Sequence, residues 1–244
     1  MELYSAMINK KQAGEKQFAI LFDPDKVDHK KILKTTRLAQ KSGVDWFFVG
    51  GSLLIQNSLD SCIKVLKENC DIPVVLFPGN TLQMSSKADA ILFLSLISGR
   101  NAEMLIGRHV IAAPYLKLSS LEVISTGYML IESGKPTTVS YMSNSAPIPA
   151  DKNDIAACTA IAGEMLGMKL IFMDAGSGAT NPVPEPMIEM VAKSVNIPLV
   201  IGGGINTPEK AAGACAAGAD IIVIGNAIEK DHELIPKIAA SIKR

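Results

Sequence analysis

The last third of the chain repeats one unit three times: a short apolar run, then glycine at the point where a strand would end. Residues 169–174 lead into Ala175-Gly176-Ser177-Gly178, residues 198–202 into Gly203-Gly204, and residues 219–224 into Gly225-Asn226. Near-continuous apolar runs of this length are the signature of parallel strands covered on both faces. Parallel strands need crossover connections, and amphipathic helical stretches at 184–195, 208–217 and 230–242 supply them. Small residues at a strand's end let backbone N–H groups approach an anion. Three such ends in succession point to one shared phosphate pocket.

The same alternation extends backwards. Strands are expected at 18–22, 44–49, 72–77, 90–94 and 109–113, with helices at 2–11, 29–42, 59–69, 101–107 and 151–166, the last capped by Asp151. Residues 81–89 are too few for a helical crossover of ~10–12 residues, so the third helix is expected to be short or missing. Residues 114–149 form a long insertion after the fifth strand, with extra β structure expected at 123–124, 128–131 and 137–141. Eight strands in 244 residues favour a single (β/α)8 TIM-type barrel over an open sheet. No linker or charge block divides the chain, so residues 1–244 read as one domain.

Charge and cysteine content narrow the function. Lys plus Arg and Asp plus Glu both number 24, with no basic stripe, which argues against a nucleic-acid partner. Cys62, Cys70, Cys158 and Cys215 form no Cys-x-x-Cys pair and read as reduced thiols of a cytoplasmic protein. Residues 1–16 are too polar for a signal peptide, and no apolar run reaches the ~18 residues of a membrane span.

In a barrel the strand ends gather on one rim, where active sites lie. That rim would collect Asp23, Ser52, Asp174 and the glycine loops. Asp23 is a candidate Mg²⁺ ligand, because Mg²⁺ takes hard oxygens from one or two carboxylates plus substrate phosphates. Ser52 adds a hydroxyl. Asp25 and Asp28 read as turn and N-cap residues. Asp174, at a buried strand end beside a phosphate loop, suits a general base for a substrate hydroxyl. Arg100 faces either a diphosphate or solvent. His29 and His232 fall at helix starts, and His109 at the start of a strand on the opposite rim.

With these residues in view, the chain resembles, over essentially its whole length, geranylgeranylglyceryl phosphate synthases and the related bacterial heptaprenylglyceryl phosphate synthases. The resemblance rests on Phe-Asp-Pro-Asp-Lys (22–26), Val-Gly-Gly-Ser (49–52), Phe-Met-Asp-Ala-Gly-Ser-Gly-Ala (172–179), Gly-Gly-Gly-Ile (202–205) and Val-Ile-Gly-Asn-Ala (223–227). It implies a Mg²⁺-dependent prenyltransferase joining a polyprenyl diphosphate to sn-glycerol 1-phosphate, with release of diphosphate. It implies metal-binding positions at Asp23 and Ser52. The glycerol phosphate positions it implies are Phe172, Met173, Asp174, Ala175, Gly176, Ser177, Gly178, Gly203, Gly204, Gly225 and Asn226. It also implies a dimer or hexamer. Many members carry tyrosine at the position of Phe172 and glutamate at that of Asp174, and the smaller bacterial enzymes carry lysine at that of Leu21. These departures place the chain with the larger, archaeal-like branch. Two other readings are a phosphosugar isomerase or synthase barrel, which needs no Mg²⁺, and a non-catalytic prenyl-phosphate-binding protein.

Overall fold

The computed structural model describes residues 2–26 and 28–242; Met1, Val27, Lys243 and Arg244 lie outside the described residues. Eight parallel strands close into a barrel in the order β1 to β8. They are β1 (Gln17–Phe22), β2 (Trp46–Val49), β3 (Val74–Leu76), β4 (Ala90–Leu96), β5 (Glu122–Leu130), β6 (Leu170–Asp174), β7 (Leu199–Gly202) and β8 (Ile221–Ile224). Helices α2 (His29–Ser42), α3 (Leu59–Asn69), α4 (Arg108–Leu118), α6 (Asn153–Met165), α7 (Glu185–Ser194), α8 (Pro208–Ala216) and α10 (Leu234–Ile242) are the longer connecting helices.

Strand side chains alternate between two cores. Phe48, Leu92, Phe172 and Val223 fill the barrel, while Phe47, Ile171, Met173 and Ile201 pack in the outer layer with the helices. This period of two fixes what the sixth strand offers the site: Phe172 shares the barrel interior with Tyr128, and Asp174 continues that inward series at the strand's end.

Helix α1 (Leu3–Gln12) buries Met7 with the inner core. The fully buried Gln17 ties it there: its amide donates to the Met7 carbonyl at 3.2 Å and accepts from the Trp46 indole at 2.9 Å. A Gln17→Ala variant strands that indole N–H and leaves a void. It is expected to lose about 3 kcal/mol of stability in urea unfolding, with activity intact under native conditions.

The fifth strand is a correction. Residues 109–113 are not a strand; they lie in α4, which follows a π-helical turn over Glu103–Gly107. The true β5 takes in 123–124 and 128–130, expected to be accessory β structure. The insertion after the fifth strand therefore runs from 131 to 152, and residues 137–141 are not β: they enter the short helix α5 (Thr138–Ser143). Asp151 does not cap α6, whose N-cap position is Lys152. Asp28 does cap α2, accepting the Lys31 N–H at 2.8 Å.

No helix forms between β3 and β4. The buried Gln83 takes over that span, bonding both the N–H and the carbonyl of Gly51 and the N–H of Gly79. Polar loops on one rim are thus fixed to each other where a covering helix is absent.

Candidate active site

A cavity of about 820 Å³ opens at the rim of strand C-termini. Its polar end is built by the loops after β6, β7 and β8. Gly176, Gly178, Gly203 and Gly204 all have positive φ, between 71° and 89°, a backbone state that glycine adopts without strain. The turns pack closely: a Cβ on Gly203 would lie 2.6 Å from both Asp174 Oδ1 and the Gly176 nitrogen. Asn226 (first residue of α9, Asn226–Lys230) donates to Ser177 Oγ at 2.9 Å, joining the β8 and β6 loops. The insertion folds over this end, with Thr137 packed on Gly176 and Val139 and Met142 lining the cavity.

Asp174 stands at the floor of the polar end, buried. Its Oδ1 accepts the Gly176 N–H at 2.7 Å and its Oδ2 accepts the Tyr128 hydroxyl at 2.7 Å. Burial pushes its carboxyl above the usual aspartate range, against the pull of the Tyr128 and Gly176 bonds. Burial likewise pushes the Tyr128 phenol well up, helped by the Asp174 charge, so the tyrosine stays a donor. Tyr128 pairs in register with Phe172 on the neighbouring strand, their ring centroids 5.6 Å apart. Phe172 has no hydroxyl; the phenol that reaches Asp174 comes from Tyr128 of β5. A Tyr128→Phe variant removes one hydrogen bond to the carboxylate, so the Asp174 carboxyl rises further. The acid limb of its pH–rate profile is expected to move to higher pH, with activity on that limb falling on the order of tenfold; steady-state rates across pH check this.

At the mouth, Asp23 directly follows β1 and a turn brings Lys26 back over it. The Lys26 N–H donates to the Asp23 carbonyl at 3.0 Å, and the ammonium lies 2.6 Å from Asp23 Oδ2. Burial works to lower the Lys26 ammonium, but its bond to Asp23 and the charges of Asp23, Glu229 and Asp25 hold it above the usual lysine range. Glu229 of α9, half-buried and also lining the cavity, has its carboxyl raised by burial; Lys26 opposes this and Asp23 adds to it. Asp25, also at the cavity's edge, staples the next loop, accepting from Ile55 N–H at 2.6 Å, Gln56 N–H at 3.3 Å and Ser58 Oγ at 2.8 Å. The staple and Gln83 hold the 50–58 loop, so Ser52 lines the same mouth as Asp23.

The other arm of the cavity is apolar. It is lined by Phe77 and Met84 beside the missing helix, by the outer face of β4 at Ile91 and Phe93, and by Ala112 and Leu116 of α4. His109 lies here rather than on the opposite rim. It is buried, edge-on to Phe93 at 4.5 Å, with Nε2 3.1 Å from Ser95 Oγ.

The structure thus brings Asp23, Ser52, Phe172, Asp174, Gly176, Ser177, Gly178, Gly203, Gly204, Gly225 and Asn226 onto one cavity. Met173 points into the outer core and Ala175 is fully buried, so neither lines it. Arg100 is exposed, donating to the Gly99 carbonyl at 2.9 Å, and does not line the cavity either. Tyr128, Lys26 and Glu229 are additions that sequence reasoning missed.

Asp23 and Ser52 offer hard oxygens, and Asp23 already faces a cation, the Lys26 ammonium. Among the described residues no three His, Cys, Asp or Glu side chains cluster as a cage. Such a donor set suits Mg²⁺ completed by water and substrate phosphates.

A family model described as the PcrB family matches residues 11–242. A geranylgeranylglyceryl phosphate synthase of Chitinophaga pinensis is 57% identical over 241 residues, 99% of this chain and 96% of that protein. One from Thermococcus gammatolerans is 43% identical over 224 residues, 91% of this chain and 88% of that one. The crystal structure of (S)-3-O-geranylgeranylglyceryl phosphate synthase from Thermoplasma acidophilum in complex with substrate sn-glycerol-1-phosphate superposes with a TM-score of 0.94. It is 34% identical, covering 100% of this chain and 99% of that one.

Proposed function

The chain belongs to the PcrB family, and from that premise we propose that it is a prenyltransferase that joins a geranylgeranyl-type diphosphate to sn-glycerol 1-phosphate. The observation that carries this reading is one cavity that holds a buried carboxylate between a glycine-walled polar end and an apolar arm. A small phosphate and a long hydrocarbon both find matching surfaces there, with Asp174 between them.

The loops at 176–178, 203–204 and 225–226 clamp the phosphate through backbone N–H groups. This holds the free primary hydroxyl of the glycerol against Asp174, and fixing that geometry is much of the rate enhancement. Tyr128 and the Gly176 N–H orient the carboxylate, whose remaining lone pairs take the hydroxyl proton. The C–O bond to the diphosphate breaks at the allylic carbon as the new ether C–O bond forms. The apolar arm keeps water from competing for that carbon.

Asp23 and Ser52 would hold Mg²⁺. When bound, the ion stabilises the negative charge of the departing diphosphate. The exposed apolar residues Val110, Ile111, Tyr115 and Leu118 of α4 give surface for the self-association that is part of this reading. Among the described residues no helix is long and apolar enough to cross a membrane; a cytoplasmic location is part of the proposed reading.

Chelation tests the metal assignment. Transfer is expected to stop in excess EDTA and to return with added Mg²⁺. Equal rates with and without EDTA would contradict it.

A further inference from the structure

The mouth of the cavity carries a group that the proposed chemistry leaves unused. Lys26 lies with its ammonium on the carboxylate assigned to the metal. The two partners are held very differently. Asp23 is only 17% exposed at its side chain, and its Oδ1 accepts the Asp25 N–H at 3.2 Å. The Lys26 side chain is 49% exposed and hangs from a turn closed by its own N–H. A cation arriving at Asp23 therefore displaces the lysine, while the carboxylate stays in place. Ion pairs this exposed are weak and exchange readily. Glu229, whose charge also acts on the Lys26 ammonium, lines the same cavity and gives it a second carboxylate to face at the mouth.

We propose that Lys26 is a binding residue that changes partner during the reaction: it neutralises Asp23 before the substrates arrive and passes to the diphosphate once Asp23 turns to Mg²⁺. The inference rests on the metal assignment above. A prenyl diphosphate carries more negative charge than one divalent ion neutralises, so a mobile cation beside the metal position has a partner waiting. Lysine suits the exchange better than arginine would in the resting state, because its ammonium is a single flexible point charge rather than a fork that locks onto a carboxylate.

The test is a pair of titrations on the full-length protein, following Mn²⁺ by calorimetry without substrate and inorganic diphosphate in the presence of Mg²⁺. In Lys26→Met, Mn²⁺ is expected to bind roughly two- to fivefold tighter, because no ammonium competes for Asp23. Diphosphate is expected to bind about tenfold more weakly, through loss of a charge-assisted contact. Lys26→Arg is expected to restore the diphosphate affinity. These opposed changes separate the exchange from a merely structural lysine, whose loss would weaken both ligands or neither. Unchanged or weaker Mn²⁺ binding in Lys26→Met overturns the proposal, as does unchanged diphosphate binding. An Asp23→Asn protein that binds Mn²⁺ as the wild type does would overturn the metal assignment first, and the exchange with it.

Discussion

Asp174→Asn is expected to lower turnover by on the order of 10³-fold while glycerol phosphate binds within a few-fold of the wild type. The substitution keeps the shape of the side chain. An asparagine carbonyl still accepts the Gly176 N–H, and the Tyr128 hydroxyl can turn to accept from the new amide. What disappears is the one acceptor able to take a full proton from the substrate hydroxyl. The same change tests the energetics of the site. The carboxyl of Asp174 is raised by burial, so at neutral pH its ionised form costs stability relative to an unfolded chain that ionises freely. That cost grows as pH climbs from the unfolded value to the raised folded one and levels off above it. The asparagine variant is therefore expected to be as stable as the wild type or more so above that range, by thermal unfolding at several pH values. A dead but stable protein is the outcome anticipated; a variant with near-normal turnover would remove Asp174 from the chemistry.

Gly203→Ala is expected to abolish glycerol phosphate binding and to cost about 3 kcal/mol or more in stability, read by calorimetry and urea unfolding. Two penalties combine. The residue sits at φ +79°, which burdens any side chain with about 1–2 kcal/mol. Its new Cβ would also lie 2.6 Å from Asp174 Oδ1 and from the Gly176 nitrogen, and 2.9 Å from the Ala175 nitrogen, so the base and the phosphate loop must both move. Gly178→Ala is the matched control. It has a similar φ of +75°, but no atom lies within 4 Å of the added Cβ. Only the backbone penalty of about 1–2 kcal/mol should remain. Equal damage from both substitutions would mean that strain, not the contact with Asp174, limits the site.

The barrel was legible because seven of its strands are short, largely apolar runs, and five of them, β1, β2, β6, β7 and β8, stop at glycine or aspartate, a pattern that local sequence carries by itself. The fifth was not. β5 has Ser125, Thr126 and Gly127 in mid-strand, which breaks the apolar run, while α4 imitates a strand. Helical periodicity is visible only when one face of a helix is apolar. In α4, Ala112 and Leu116 are buried, yet Val110, Ile111 and Tyr115 are apolar and exposed, so the apolar residues surround the helix. Pro114 then looks like a strand's end although it lies inside the helix.

The missed strand also concealed Tyr128. Its contact with Asp174 spans 46 residues and depends on the register of β5 against β6, which no local pattern contains. Asp23, Asp174 and the glycines needed no such knowledge, because a strand's end places them on the rim whichever strands are neighbours. Met173 and Ala175 belong to the same contiguous motif as Phe172 and Asp174, yet strand alternation turns the Met173 side chain away from the cavity. Lys26 was visible only as the last letter of a motif. Its role depends on a turn that brings it back onto Asp23.

The most direct measurement is prenyl transfer itself. Purified protein is mixed with labelled sn-glycerol 1-phosphate, geranylgeranyl diphosphate and Mg²⁺, and the lipid is extracted. The account predicts label in the lipid phase, with stoichiometric diphosphate release, from this enantiomer and not from sn-glycerol 3-phosphate. Label that stays in water with every prenyl diphosphate tried, while the protein still binds glycerol phosphate, would contradict it and return the site to a phosphosugar barrel.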